Sequence, residues 1–178
     1  FLKSTAVVSS AAVLPSSSGL FAAGQEKMRV ALIGCGGRGS GALKDCLQAA
    51  ADVNLQIEIV ALADFFKERA LRTAADNSVS EDLCFDGPLA YQKALASNAD
   101  LVLLVSPPIF RPRHFEAAIA AGKHVFMEKP VAVDPPGARK IMEVGRIAKE
   151  KGLSVGVGTQ RRHQASYVKI KQAIDRGA

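Results

Sequence analysis

The chain has no tryptophan, two tyrosines and three histidines in its 178 residues. Its cations are scattered among acidic residues with few rings between them, which argues against a nucleic-acid surface, where clustered cations alternate with stacking aromatics. Solubility or an anionic small ligand accounts better for the net charge of +6. Cysteine is scarce too: Cys35, Cys46 and Cys84 are odd in number and show no C-x-x-C spacing. That excludes a disulfide framework and leaves no metal site of zinc-binding spacing. A membrane-spanning helix needs roughly 20 apolar residues, and Pro15 with its neighbouring serines interrupts the mildly apolar stretch near the N-terminus. No internal repeat is visible. What remains, 48% hydrophobic residues in this length, suffices for one domain with a proper core.

Residues 1–24 do not read as fold. Phe1-Leu2-Lys3 precedes a Ser/Ala-rich segment, and Ala22-Ala23-Gly24 offers the small residues that suit a signal peptidase. The opening resembles the end of a twin-arginine export motif, whose arginine pair would stand just upstream. An export leader, and with it a periplasmic protein, is therefore expected; the plainer alternative is a flexible tail.

The stretch that organises the rest is Met28 to Gly39, MRVALIGCGGRG. Val30 to Ile33 form an apolar strand, and Gly34, Gly36 and Gly39 follow at the spacing G-x-G-x-x-G before a helical pattern expected to begin at Ser40. Such a loop, completed by Gly37 and Arg38, brings backbone N–H groups and a helix N-terminus close to a pyrophosphate, and side chains at the first two glycines would obstruct that approach. The third glycine lets helix and strand pack. Alone the motif is common, since glycine-rich loops also serve as plain turns. Here a helix with Leu43, Cys46, Leu47 and Ala50 on one face follows, and then the run Ile57 to Leu62 ending in Asp64. An acidic residue at that strand tip would hold the adenosine ribose hydroxyls and repel a 2'-phosphate, so NAD is expected over NADP. Cys35, inside the loop, reads better as a small residue fitting the turn than as a reactive thiol.

From Gln25 to about residue 160, strands and helices alternate, the mark of a doubly wound parallel sheet, an α/β Rossmann fold. Helix is expected over 66–75, a short strand at 83–85, and helix over 88–96 capped by Asp86. The run Asp100 to Val105 reads as a strand covered on both faces, stopped by Ser106-Pro107-Pro108. A helix from Pro112 to Ala121, a strand at 124–127, a long helix headed by Asp134 and a sixth strand at 153–157 complete two halves. Tyr167 to Arg176 reads as one more helix, with apolar surface left uncovered.

Glu128-Lys129-Pro130 leaves the fifth strand on the same edge as the glycine loop. Together with that loop, Asp64, the stretch Ala121-Gly122-Lys123-His124-Val125 and Thr159-Gln160-Arg161-Arg162, it resembles the Gfo/Idh/MocA oxidoreductases over about residues 28–178. The resemblance implies an NAD(P)-dependent enzyme moving hydride between nicotinamide and a sugar, cyclitol or related polyol. Lys129 would be catalytic, hydrogen-bonding the substrate oxygen that changes between hydroxyl and carbonyl. It further implies that Glu128 contacts or orients groups on the cofactor side. Ser106, Pro107 and Gln160 would lie near the nicotinamide. Arg161 would reach a substrate hydroxyl or a cofactor phosphate, with a solvated arginine as the bland alternative. His114, near a helix start, more often satisfies local backbone than performs catalysis.

Family members also carry a mainly antiparallel substrate domain with an acid-base pair, and they assemble through it. The sequence ends where that domain is expected, so residues 161–178 would start the connection to it, and the chain by itself is expected to bind cofactor without turnover. Two other readings keep the fold: an NAD-dependent glycoside hydrolase, whose relatives differ at the strand-five triplet, and a non-catalytic dinucleotide-binding module, which loss of Lys129 would mark.

Overall fold

The computed structural model describes residues 27–177, so the expected leader lies outside the described residues. Six strands, β1 (Lys27–Ile33), β2 (Gln56–Asp64), β3 (Cys84–Asp86), β4 (Leu101–Leu104), β5 (His124–Glu128) and β6 (Val155–Gly158), form one sheet in the order β3-β2-β1-β4-β5-β6. Every neighbouring pair is parallel. The order reverses between β1 and β4, which is where open α/β sheets bind ligands at their carboxyl ends.

The crossovers are α1 (Gly37–Asp52), α2 (Lys67–Asp76), α3 (Ala90–Leu95), α4 (Arg111–Ala120) and α5 (Pro135–Glu150), and α6 (Ala165–Asp175) follows β6. One face of the sheet packs Val30, Leu32, Leu62 and Leu103 against Leu43 of α1 and Ala70 and Ala74 of α2. The other packs Ala31, Val102, Val125 and Met127 against α3, α4 and α5, with Phe115 and Ile119 at its centre. Both faces of the central strands are thus apolar, which explains the unbroken hydrophobic runs. Each fully buried Leu, Ile or Phe contributes about 1.5–3 kcal/mol.

Several boundaries differ from those expected, among them α6, which starts at Ala165 rather than Tyr167. Helix α1 starts at Gly37 rather than Ser40, because the loop glycines already adopt helical backbone in its first turn. Asp86 caps no helix: it ends β3, paired with Asp64, and α3 begins only at Ala90 without a side-chain cap, which leaves Pro88 in the preceding turn. Strand β6 starts at Val155 because the Leu153 amide closes the end of α5 on Ala148 and the Ser154 amide donates to His124 Nδ1. The Asp134 cap is present, its Oδ1 accepting from the Gly137 amide at 2.7 Å.

Strand β6 and α6 are less enclosed. Val155 and Val157 are exposed, and α6 buries no residue, leaving Val168, Ile170 and Ile174 exposed. No helix among the described residues is long and apolar enough to cross a membrane.

Candidate functional site

At the carboxyl edge, the glycines divide into two kinds. Gly34 has a φ of +101°, and a Cβ there would lie 2.5 Å from the Ser106 nitrogen. Its absence lets the exit of β4 close against the loop. A Cβ on Gly39 would sit 1.7 Å from the Gly34 carbonyl oxygen, so this glycine brings α1 against the turn, as its spacing suggests. At Gly34 the atoms a side chain would meet first are therefore those of the protein itself. Gly36 and Gly37 behave differently: a Cβ on either meets no atom within 4 Å. The helix N-terminus carries no side-chain cap and no acidic residue in its first turn. Open space in front of uncapped amides suits a pyrophosphate.

Asp64, at the end of β2, accepts from the Cys35 amide at 2.8 Å and the Phe66 amide at 3.0 Å. It ties the glycine loop to the start of α2, and each carboxylate oxygen keeps a further acceptor site. Arg69 Nη1 stands 3.9 Å from its Oδ1, with the guanidinium 4.6 Å from the centre of the Phe66 ring. This cation tempers the repulsion that Asp64 would exert on a 2'-phosphate; an arginine five residues after the acid was its sequence signal. Burial and the Asp64 charge push the Cys35 thiol up to about 12, so Cys35 is a packed small residue and not a nucleophile.

A cavity of about 460 Å3 lies beside this edge, lined by Gly34, Asp64, Phe66, Pro107, Arg113 and His114 among others. Ser106 also lines it, its hydroxyl 3.0 Å from His114 Nδ1. The His114 ring stacks on Tyr91 with centroids 4.2 Å apart. Burial, then the charges of Arg113 and Arg111, lower its pKa to about 4. A neutral imidazole therefore faces Ser106 at neutral pH. Its partner is a side-chain hydroxyl of the cavity wall, whereas a histidine at a helix start is expected to serve local backbone.

The strand-five triplet separates its members. Glu128 is buried, and its Oε1 accepts from Arg38 Nε at 2.9 Å, with Nη2 at 2.8 Å. Its carboxylate also occupies the space that a Cβ on Gly158 would take. Arg38 additionally pairs with Asp45 at 3.2 Å. Its guanidinium is thus engaged with two carboxylates, leaving the α1 backbone to face any phosphate. Lys129, by contrast, is exposed, and its ammonium has no hydrogen bond or ion pair among the described residues. The Lys129–Pro130 peptide is cis. Buried Arg111 connects this turn to Ser106, donating to the carbonyls of Glu128, Pro130 and Ser106. Sequence reasoning passed over Arg111, because an arginine beside a proline at a helix start reads as solvated.

Gln160 and Arg161 lie in a short 3-10 turn, Gln160–Arg162, after β6. Neither lines the cavity. The Arg161 guanidinium stands 5.4 Å from the centre of the Tyr167 ring.

Comparison with known proteins agrees with the fold. The chain is 39% identical over 120 residues to an inositol 2-dehydrogenase of Agrobacterium fabrum, covering 66% of this chain and 34% of that protein. It is 33% identical over 153 residues to an inositol 2-dehydrogenase of Pseudomonas fluorescens, covering 84% and 42%. Among solved structures, an NAD binding oxidoreductase from Klebsiella pneumoniae superposes with a TM-score of 0.66 at 28% identity, over 85% of this chain and 39% of that one. The WlbA dehydrogenase from Bordetella pertussis, in complex with NADH and UDP-GlcNAcA, gives 0.66 at 26% identity, over 86% and 41%. The chain thus spans less than half the length of these relatives. Residues 28–159 match the family described as oxidoreductase, NAD-binding Rossmann fold, and the chain belongs to this Gfo/Idh/MocA family.

Proposed function

We propose that this chain is the dinucleotide-binding part of an NAD-dependent oxidoreductase acting on a sugar, cyclitol or related polyol. The observation that carries the reading is one juxtaposition. The uncapped start of α1 with its open Gly36, the acceptor Asp64 and the unpartnered Lys129 all lie on the same carboxyl edge of the sheet. The inositol dehydrogenases among its relatives support the substrate class.

NAD bound along this edge would supply the hydride acceptor. The α1 amides would hold its pyrophosphate, and Asp64 its ribose hydroxyls. Lys129 Nζ would donate a hydrogen bond to the substrate oxygen and stabilise negative charge developing there as hydride leaves the adjacent carbon. Glu128, engaged with Arg38, orients the start of α1 against the end of β5. Ser106 and Pro107 would flank the nicotinamide, with Gln160 and Arg161 approaching from the β6 side. We also read residues 161–178 as the start of a connection to a substrate domain, through which the whole enzyme would form a homo-oligomer, and residues 1–24 as an export leader directing it to the periplasm.

Calorimetric titration of residues 25–178 with NAD and NADP, beside Asp64→Ala, tests the cofactor half. The expected result is NAD binding, weaker NADP binding, and about tenfold or greater loss of NAD affinity in the variant, the worth of one charged hydrogen bond. A folded sample that binds neither dinucleotide would sink the reading. Screening the whole enzyme against polyols, with Lys129→Met as the inactive control, tests the other half.

A further inference from the structure

Arg111 is the first residue of α4 and is 2% exposed, yet no carboxylate pairs with it among the described residues. A cation this deep in a protein needs strong compensating contacts. Its hydrogen bonds all go to main-chain oxygens, and the Glu128 carboxylate adds only charge attraction without contact. Nη1 donates to the carbonyls of Glu128 and, at 2.7 Å, Pro130, and Nη2 to that of Ser106. The remaining Nε has no partner. Two of the three carbonyls belong to the residues immediately before and after Lys129, and the third sits on the opposite loop, at the exit of β4. A guanidinium presents these donors in a rigid planar fork, so the three oxygens are held in fixed relation to one another.

The contrast with Lys129 itself gives the arrangement its meaning. The lysine side chain is exposed and unpartnered, so nothing at its own tip fixes its position. Its main chain is fixed from below instead, through both neighbours. We propose that Arg111 is the positioning residue for Lys129: by gripping the carbonyls on either side of it and the Ser106 carbonyl across the edge, the buried fork sets where the lysine chain leaves the sheet. The inference rests on the reading of Lys129 as the group that meets the substrate oxygen.

Two variants test it. Arg111→Lys keeps the cation but offers a single ammonium in place of the fork, and Arg111→Met keeps apolar bulk without donors. Hydrogen exchange on the 178-residue chain needs no substrate. Segments 128–133 and 105–110 should exchange at least about tenfold faster in the variants while β1 and β2 keep their rates, a local opening rather than a global one. In the whole enzyme, with whichever polyol the screen identifies, Arg111→Lys should lower kcat by about tenfold to a hundredfold, the cost of misplacing a reacting group, and leave the KM for NAD within about twofold.

Wild-type exchange in both segments overturns the proposal, and so does acceleration spread evenly over β1 and β2, because Arg111 is then an ordinary core residue. If Arg111→Met does not fold, Arg111→Lys decides; failure of both to fold has the same meaning as the even acceleration. A wild-type kcat for Arg111→Lys, in an enzyme that Lys129→Met inactivates, also overturns it. Turnover that survives Lys129→Met is the separate failure of the functional reading, and exchange at the two segments still decides whether Arg111 holds them.

Discussion

The middle of the sheet and its β6 edge are finished to different degrees. Around β1, β2 and β4, helices cover both faces and Val30, Leu32, Leu62 and Leu104 are wholly enclosed. Toward β6, Val155 and Val157 remain exposed, and α6 carries Ile170 and Ile174 into solvent. On the α1 side, an apolar cleft of about 430 Å3 interrupts the cover of the first region, with Ala42, Cys46, Leu103 and Phe126 among its lining residues. The same chain thus contains a half whose apolar groups are satisfied internally and a half whose apolar groups have no cover of their own. Burial, rather than regularity of secondary structure, is what separates them.

The largest way to break the enclosed half is at its tightest contact. Gly39→Ala would place a methyl 1.7 Å from the Gly34 oxygen and should prevent folding or cost more than about 4 kcal/mol, a loss at the extreme of single substitutions, measured by urea denaturation. The contrast itself is sharpened by a pair of truncations. Leu32→Ala, fully enclosed in β1, should cost about 2–5 kcal/mol. Ile174→Ala in α6, where the side chain is 63% exposed, should stay within about 0.5 kcal/mol. Equal losses would show that α6 is packed.

Acid should act on the enclosed half through His114. Its folded pKa of about 4 lies below the ordinary histidine value of 6.5, so the unfolded chain binds more protons between those values. Stability should therefore fall as pH drops from about 6.5 to 4, by up to about 3 kcal/mol, and His114→Gln should flatten denaturation midpoints across that window. Asp100, whose carboxyl is held below its usual range by the Arg29 bridge, adds its own loss at still lower pH. A smaller effect should come from Arg38 and Glu128, where the two halves meet. With Arg38 more than half exposed and screened by solvent, a double-mutant cycle should give a coupling of about 1 kcal/mol.

The parallel sheet and its core were legible because apolar runs such as Val30 to Ile33 and Leu101 to Leu104 need cover on both faces. Gly39 was legible too, since its spacing states its packing role. The reason for Gly34 was not, because the atom it accommodates belongs to Ser106, 72 positions further along the chain. Glu128 and Arg38 meet across 90 positions, and neither residue announces the other. Arg111 was hidden for a different reason: its partners are main-chain carbonyls, which every residue carries, so no residue type marks them. The exposed face of α6 could be read from its apolar residues, whereas the late start of β6 depended on how the Leu153 amide closes α5.

Ser106 is held by three unrelated parts of the fold. Its nitrogen rests against Gly34, its hydroxyl meets His114, and its carbonyl is taken by Arg111. A wall fixed in this way has already lost its freedom during folding, so a ligand arriving there meets no further ordering entropy from this segment. The heat-capacity change of dinucleotide binding should then report the apolar area covered by the ligand alone, free of the extra change that accompanies the freezing of a loop.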